Sequence, residues 1–170
     1  MALKTVYVAF ETKSGLLRAL WHLLLRGDEE DVPVPERAWY RELLEEADPE
    51  RQLRLTARQS RIVKSRAAAL LKVIRDAAAV DPDAAALWGR IQTEFYDVQR
   101  GVVRSVHEKG ALRHGLDVSS ATDIMWTLNH PDVWHLLVGA RGWTPERYER
   151  WFGEALCSEL LNTRGASVRT

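Results

Sequence analysis

From Glu50 to Val80 the chain runs without a glycine or a proline, and Asp-Pro pairs stand at both margins, Asp48-Pro49 and Asp81-Pro82. Aspartate before proline is a helix-start signal. The carboxylate caps free backbone N–H groups, and proline at the first helical position gives up an N–H that has no partner there. The spacing therefore predicts one long helix from 49 and another from 82. Along the first, Leu55, Ile62, Ala69 and Val73 recur at helical spacing with Leu70 and Ile74 beside them, and are expected to face the core. Along the second, Leu87, Ile91, Phe95, Val98, Val102 and Val106 make the cleanest amphipathic pattern in the sequence, ending near Gly110.

The flanking segments follow the same grammar. Leu16 to Arg26 reads as a helix closed by Gly27, and Asp28 to Pro35 as an acidic loop with two prolines. Glu36 to Ala47 reads as a short helix carrying Trp39, Leu43 and Leu44. Asp117 to Ser120 offers a cap for a helix whose apolar face is Ala121, Ile124, Met125 and Leu128. His130-Pro131 breaks that helix, and Pro131 to Val138 reads as one short helix more. Gly139 and Gly142 turn the chain, and Thr144-Pro145-Glu146 restarts it. Tyr148, Trp151, Phe152, Ala155, Leu156 and Leu160 then line one side of the last helix. No segment alternates with period two for long enough to make a strand. The expected fold class is all-α.

At 170 residues, 46% hydrophobic and 28% charged, the chain has the make-up of one globular unit, or of a small domain plus a remnant. Its formal charge is zero, so no global basic field points to nucleic acid. The charge is nevertheless segregated: residues 27–50 hold ten acids and two arginines, and residues 51–75 hold eight basic residues and no acid. Arg51, Arg54, Arg58 and Arg61 make one stripe. It suits phosphate, but facing the neighbouring acidic segment or solvent is the more ordinary arrangement. Cys157 is the single cysteine, which excludes an intrachain disulfide and a cysteine-based zinc site and fits a reducing, cytoplasmic setting. Its apolar helical neighbours mark it as a small core residue. No apolar run approaches a membrane span, and no membrane partner is expected.

The stretch Thr5-Val-Tyr7, Phe10-Glu-Thr-Lys13, Leu16-Leu17 resembles the T-V-Y-x-x-F-x-x-K-x-x-L-L pattern of TetR-type transcriptional regulators, where it spans the recognition helix of a helix-turn-helix and the start of the next helix. Ala121 to Leu128, Trp134 to Val138 and Gly142 to Trp151 are similar to the closing helices of that family's ligand-binding domains. The two matches bracket nearly the whole chain. The resemblance implies a TetR-like helical bundle, with residues 1–26 as the remnant of the DNA-binding head and residues 27–170 as the ligand-binding and dimerisation domain. The family places two helices before its recognition helix, and Met1 falls almost on the threshold of that helix. The chain accordingly reads as N-terminally shortened, and little DNA binding is expected of it alone, since an unbraced helix of this length is marginal in water.

Carried over position by position, the resemblance makes Thr5, Tyr7 and Lys13 phosphate contacts and Lys4 a groove contact. Short hydroxyl donors and a helix N-terminus would fix register on an operator duplex. A small hydrophobic ligand is implied between the body helices, where Trp88, Gln92, Tyr96, Gln99, Trp126, His130 and Trp134 are the candidate lining. These side chains read equally well as core, and Phe95 reads as core outright. A homodimer is implied through the last two long helices, with Ile124, Tyr148, Trp151, Phe152 and Leu156 as the apolar contact and Arg147, Arg150 and Glu154 as its polar rim.

No catalytic motif is present: there is no G-x-S-x-G, no P-loop and no G-x-G-x-x-G, and the five histidines are scattered. No enzyme, cofactor or metal is expected. The leading reading is a TetR-family regulator, a repressor released by its ligand. The alternative is a stand-alone helical module that binds ligand or dimerises without touching DNA.

Overall fold

Each proposed cap engages the backbone it was expected to engage. In the computed structural model, which describes residues 33–162 and Gly15, a short 3-10 turn at Val34–Glu36 leads into α1 (Ala38–Glu45). Asp48 accepts from the Glu50 N–H at 3.0 Å and opens α2 (Pro49–Ala78). Asp81 accepts from Asp83 and Ala84 and opens α3 (Pro82–Glu108). Asp117 accepts from Ser120 at 2.8 Å ahead of α4 (Val118–Leu128), and Thr144 accepts from Arg147 ahead of α6 (Pro145–Leu160). The segment after Pro131 differs from the single short helix expected. It forms α5 (Pro131–Trp134) and then widens into a π-helical turn over His135–Ala140, closed by Gly142 at φ 67°. All regular structure among the described residues is helical, with one isolated antiparallel bridge between Leu112 and Leu161.

The helices pack around α2. Its most extensive contact is with α6, then with α3, while α4 packs against α3 and more lightly against α6. Two apolar clusters result. The larger gathers Leu53, Ala57, Val102, Val103, Val106, Met125, Trp134, Tyr148, Phe152, Leu156 and Leu160; the smaller gathers Ala67, Leu71, Ile74, Leu87 and Ile91 at the α2–α3 end.

Of the α2 positions expected to face the core only Ile74 is buried, with Leu55, Ile62 and Leu70 half-buried. Leu53, Ala57, Lys64, Ala67, Leu71 and Ile74 are buried, whereas Val73 is 53% exposed and Ala69 is exposed too. The buried stripe steps by three and four with Ser60 and Lys64 at its middle, and two polar residues there hide it from any purely hydrophobic periodicity. Of the α3 stripe, Leu87, Ile91, Val102 and Val106 are buried as expected, and Phe95 and Val98 half-buried.

The basic run does not simply neutralise the acidic segment before it. Arg51 pairs with Glu46 at 3.1 Å and Arg54 with Glu50 at 2.8 Å, but Arg61 reaches Glu149 on α6 and Arg75 reaches Asp132 on α5. The later cations thus join elements distant in sequence. A second cation closes the α1 end: Lys109 Nζ donates to Leu44 O at 2.9 Å, Gln52 Oε1 at 2.7 Å and Ser105 Oγ at 2.9 Å. A lysine on the last carbonyls of a helix satisfies acceptors that lack an intrahelical partner. No helix among the described residues is long and apolar enough to cross a membrane.

Candidate functional site

The corner between α4 and α5 is where the polar chemistry of the interior gathers. Lys64, 3% exposed, projects from α2 beneath it. Its Nζ donates to Asn129 O at 2.7 Å, to Tyr148 Oη at 2.8 Å and to Ser60 Oγ at 3.1 Å, and Asn129 Oδ1 lies against it as well. The ammonium also sits over the rings of Tyr148, at 4.9 Å, and Phe152, at 5.6 Å. No carboxylate among the described residues pairs with it. Burial therefore holds its pKa well below the ordinary lysine range, while neutral oxygens and ring faces replace water around it.

His130 follows Asn129 at that corner, as the N-cap of α5. Its Nδ1 accepts from the Asp132 N–H at 3.2 Å and so caps α5. A ring that accepts at Nδ1 carries its proton on Nε2. Burial is the main cause that lowers its pKa, with the nearby charges of Lys64 and Arg75 acting the same way, so the ring is neutral at pH 7. Two indoles meet it edge-on: Trp126, with ring centroids 4.9 Å apart, and Trp88, at 6.4 Å.

These contacts fix the register of α3 against α4. Trp88 lies by His130, and one end of the same antiparallel seam is marked by Tyr96 Oη, which donates to Asp123 Oδ1 at 3.0 Å. Gln92 lies on α3 between Trp88 and Tyr96, and Trp126 on α4 between Asp123 and His130. Both carry buried polar atoms without a hydrogen-bond partner: Nε2 and Oε1 of Gln92, and Nε1 of Trp126. Gln99, two turns further along α3 and 2% exposed, gives its Nε2 to Phe95 O at 3.1 Å and leaves Oε1 unpartnered. Among the described residues these three side chains hold all such buried atoms. Each costs roughly 1–3 kcal/mol if left unanswered.

Of the proposed pocket lining, then, the structure brings Trp88, Trp126 and His130 together, with Gln92 and Gln99 further along α3. Tyr96 turns its hydroxyl to the exposed edge. Trp134 belongs to the core instead: it is 6% exposed and meets the Tyr148 ring at 4.9 Å. Trp88 also walls a surface cleft of about 10 Å³, room for one water, beside Leu71, Arg75, Pro131 and His135. A wider groove of about 270 Å³ lies elsewhere, between α1 and α2, over Trp39, Leu43 and Leu55.

The proposed dimer contact needs correction. Tyr148, Phe152 and Leu156 are wholly buried within the chain itself, held by the Lys64 cluster and the α2–α6 packing, and have no surface to offer a partner. Ile124 and Trp151 are half-buried and remain available in part. Trp151 meets Trp143 edge-on at 6.0 Å, and the Arg147 guanidinium covers the Trp143 ring at 4.1 Å. Cys157 is half-buried, with its thiol pushed up by burial, which suits a packing role. Lys4, Thr5, Tyr7 and Lys13, the proposed DNA contacts, lie outside the described residues.

Sequence reasoning missed Ser60, Lys64 and Asn129 altogether. The available signal was a lysine three and four residues before Ala67 and Ala68 and seven after Ala57, small apolar positions beside which a long side chain has room to turn inward. No group of three or more histidine, cysteine or acidic side chains placed to hold a metal occurs among the described residues. No family model, curated protein or solved structure matches this chain.

Proposed function

We propose that this chain is the sensing and pairing body of a TetR-type transcriptional regulator, a repressor released when a small, largely hydrophobic ligand enters between its helices. The observation that carries the sensor part is the α3–α4 seam. There Trp88 and Trp126 meet His130 edge-on, and Gln92, Gln99 and Trp126 on the same two helices carry buried polar atoms without a hydrogen-bond partner. Apolar walls with a few placed polar groups are the ordinary make-up of a ligand site. The DNA-binding part rests on the T-V-Y-x-x-F-x-x-K pattern at residues 5–13, with Lys4, Thr5, Tyr7 and Lys13 on the operator. The homodimer rests on α4 and α6, through Ile124 and Trp151 rather than the buried aromatics of α6.

Two measurements test the reading. A thermal-shift screen of small hydrophobic compounds should return ligands that raise the melting temperature, since a ligand of the folded state must stabilise it. Residues 27–170 joined behind an intact TetR-type head should then bind that head's operator as a dimer and release it on addition of the same compound. A chimera that binds the compound yet ignores it on DNA would favour the module without DNA binding; a screen with no stabilising compound would remove the sensor reading.

A further inference from the structure

We propose that the groove between α1 and α2 is the seat of this chain's own residues 16–26, laid in it as an amphipathic helix. The groove, about 270 Å³, has Trp39, Leu43 and Leu55 as its apolar wall and Glu42, Glu46 and Gln59 as its polar margin. Glu42 and the C-cap residue Glu46 stand one turn apart on α1, a like-charged pair that a cation across the groove relieves. Glu46 already holds Arg51 at 3.1 Å, whereas Glu42 is exposed with no ion pair among the described residues. The fitting occupant has an apolar ridge and a basic flank.

Residues 16–26 lie outside the described part of the chain, and their sequence meets both requirements. Leu17, Leu20, Trp21 and Leu24 fall at i, i+3, i+4 and i+7, the spacing by which a helix fills an apolar groove. Arg18 stands at the margin of that face, and His22 and Arg26 follow it at four-residue steps. Gly15, just before the segment, is helical. Six leucines and a tryptophan make these residues too apolar to stand in water, and so short a helix is marginal there unless one face is buried. The acidic residues 28–31 cannot be the occupant, because Glu42 and Glu46 repel them. They belong to the tether instead. Residues 27–32 span up to about 20 Å when extended, against about 12 Å for the whole of α1, so the groove is within reach. A tether this short sets an effective concentration on the order of millimolar, which favours the chain's own segment over a second copy. The seating goes beyond the regulator reading and needs no DNA-binding role for residues 1–15; it fixes the front of the chain to the body.

The test uses the full chain with Cys157→Ser and a nitroxide on Arg58→Cys, an exposed α2 position next to Gln59. NMR amide signals of residues 16–26 should be broadened in the chain that carries the nitroxide. They should stay sharp when an isotope-enriched chain without nitroxide is mixed with a nitroxide chain of natural isotopes. Leu55→Glu, which puts a carboxylate into the apolar wall, should abolish the broadening while the body keeps its melting transition. Glu42→Lys, a change at an exposed position, should speed amide exchange over residues 16–26 about twofold to fivefold. Broadening as strong in the mixture as within one chain gives the groove to a second copy and overturns the proposal. Sharp signals within one chain overturn it too, as does a segment whose broadening and exchange neither substitution alters. The sensor reading is untouched by these outcomes, since the compound screen decides it separately.

Discussion

Lys64 Nζ lies 2.8 Å from Tyr148 Oη, and this contact ties the middle of α2 to the first turn of α6 directly beneath the α4–α5 corner. The lysine holds that corner through Asn129 O at 2.7 Å, next in sequence to His130. One buried lysine therefore joins three elements. Removing its side chain altogether leaves a cavity and takes the lysine donor from the Asn129 carbonyl, while the Tyr148 hydroxyl keeps Leu128 O at 3.5 Å. Lys64→Ala should cost about 2–4 kcal/mol in urea unfolding. Lys64→Met refills the volume and lifts the desolvation cost but leaves the Asn129 oxygens without the lysine donor, as alanine does, so it should cost about 1–3 kcal/mol and less than Lys64→Ala. An Ala variant as stable as the Met variant would show that the lysine stem contributes no packing.

The same residue sets how stability changes on the alkaline side. Burial lowers the Lys64 pKa in the folded chain, so from that value up to the unfolded lysine range the unfolded state binds more protons, and stability rises with pH. Tyr40 and Tyr148 act in the other direction. Burial pushes Tyr40 up to about 12 and Tyr148 further, so above the ordinary tyrosine value of 10.0 the unfolded state gives up protons that the folded state keeps. Unfolding free energy should climb towards pH 10 and fall beyond it, with slopes of up to about 1.4 kcal/mol per pH unit for each proton involved. Lys64→Met should flatten the climb and leave the fall intact.

On the acid side His130 is the group to follow. Burial, then Lys64 and Arg75, lower its pKa, so its contribution is present above the unfolded histidine value near 6.5 and is lost as pH falls through the folded one. NMR titration should show the His130 ring protonating below pH 6.5, with loss of the cap to Asp132 N–H. In Lys64→Met the midpoint should move up part of the way only, because burial is the larger cause. An unmoved midpoint would mean that Lys64 carries no charge at that pH.

What the sequence made legible and what it hid divide along one physical line. Helix starts are local chemistry, a side-chain oxygen on an N–H two or three residues ahead, and Asp48, Asp81, Asp117 and Thr144 each cap as their sequence predicts. Burial is not local. The α2 stripe through Leu53, Ala57, Lys64, Leu71 and Ile74 passes through polar residues that only α6 and the α4–α5 corner make acceptable, so apolar spacing pointed to its neighbour at Leu55 and Val73. For the same reason Tyr148, Phe152 and Leu156 read as a dimer contact and not as core: their partners lie on a stripe that reads as polar. The candidate site was half legible. Trp88, Gln92, Trp126 and His130 were singled out as residue types suited to a pocket, but the meeting of Trp88, Trp126 and His130 depends on an antiparallel register that no motif encodes.

Gly101 tests how α1 is seated. The Tyr40 hydroxyl donates to Val98 O at 2.6 Å and lies where a Cβ on residue 101 would be. The Tyr40 ring is 4% exposed and cannot swing clear without leaving the core. Gly101→Ala should therefore cost about 1–3 kcal/mol by overpacking, although alanine is the better helix former. Pairing it with Tyr40→Phe, which removes the obstructing oxygen, should recover most of the loss. A Gly101→Ala variant that gains stability would mean that α1 is not held against α3 by this contact.

Trp151 and Phe152 are neighbours on α6 with opposite surroundings, and they separate pairing from folding. Phe152 is wholly buried, stacked on Tyr148 at 5.8 Å and beneath the Lys64 ammonium. Phe152→Ala should cost about 3–5 kcal/mol of stability at any protein concentration. Trp151 is half-buried, and within the chain it meets Trp143 and Tyr148 only edge-on or tilted. If α6 pairs two copies, Trp151→Ala should cost less in dilute unfolding but shift sedimentation equilibrium towards monomer, and the shift should be larger when Ile124→Ala is added. Unfolding midpoints of the parent chain should rise with concentration, and those of the double variant should not. A parent chain that sediments as a monomer at micromolar concentration, with a midpoint indifferent to dilution, would remove α6 from any pairing role and leave Trp151 as a partly exposed cover for the aromatic core.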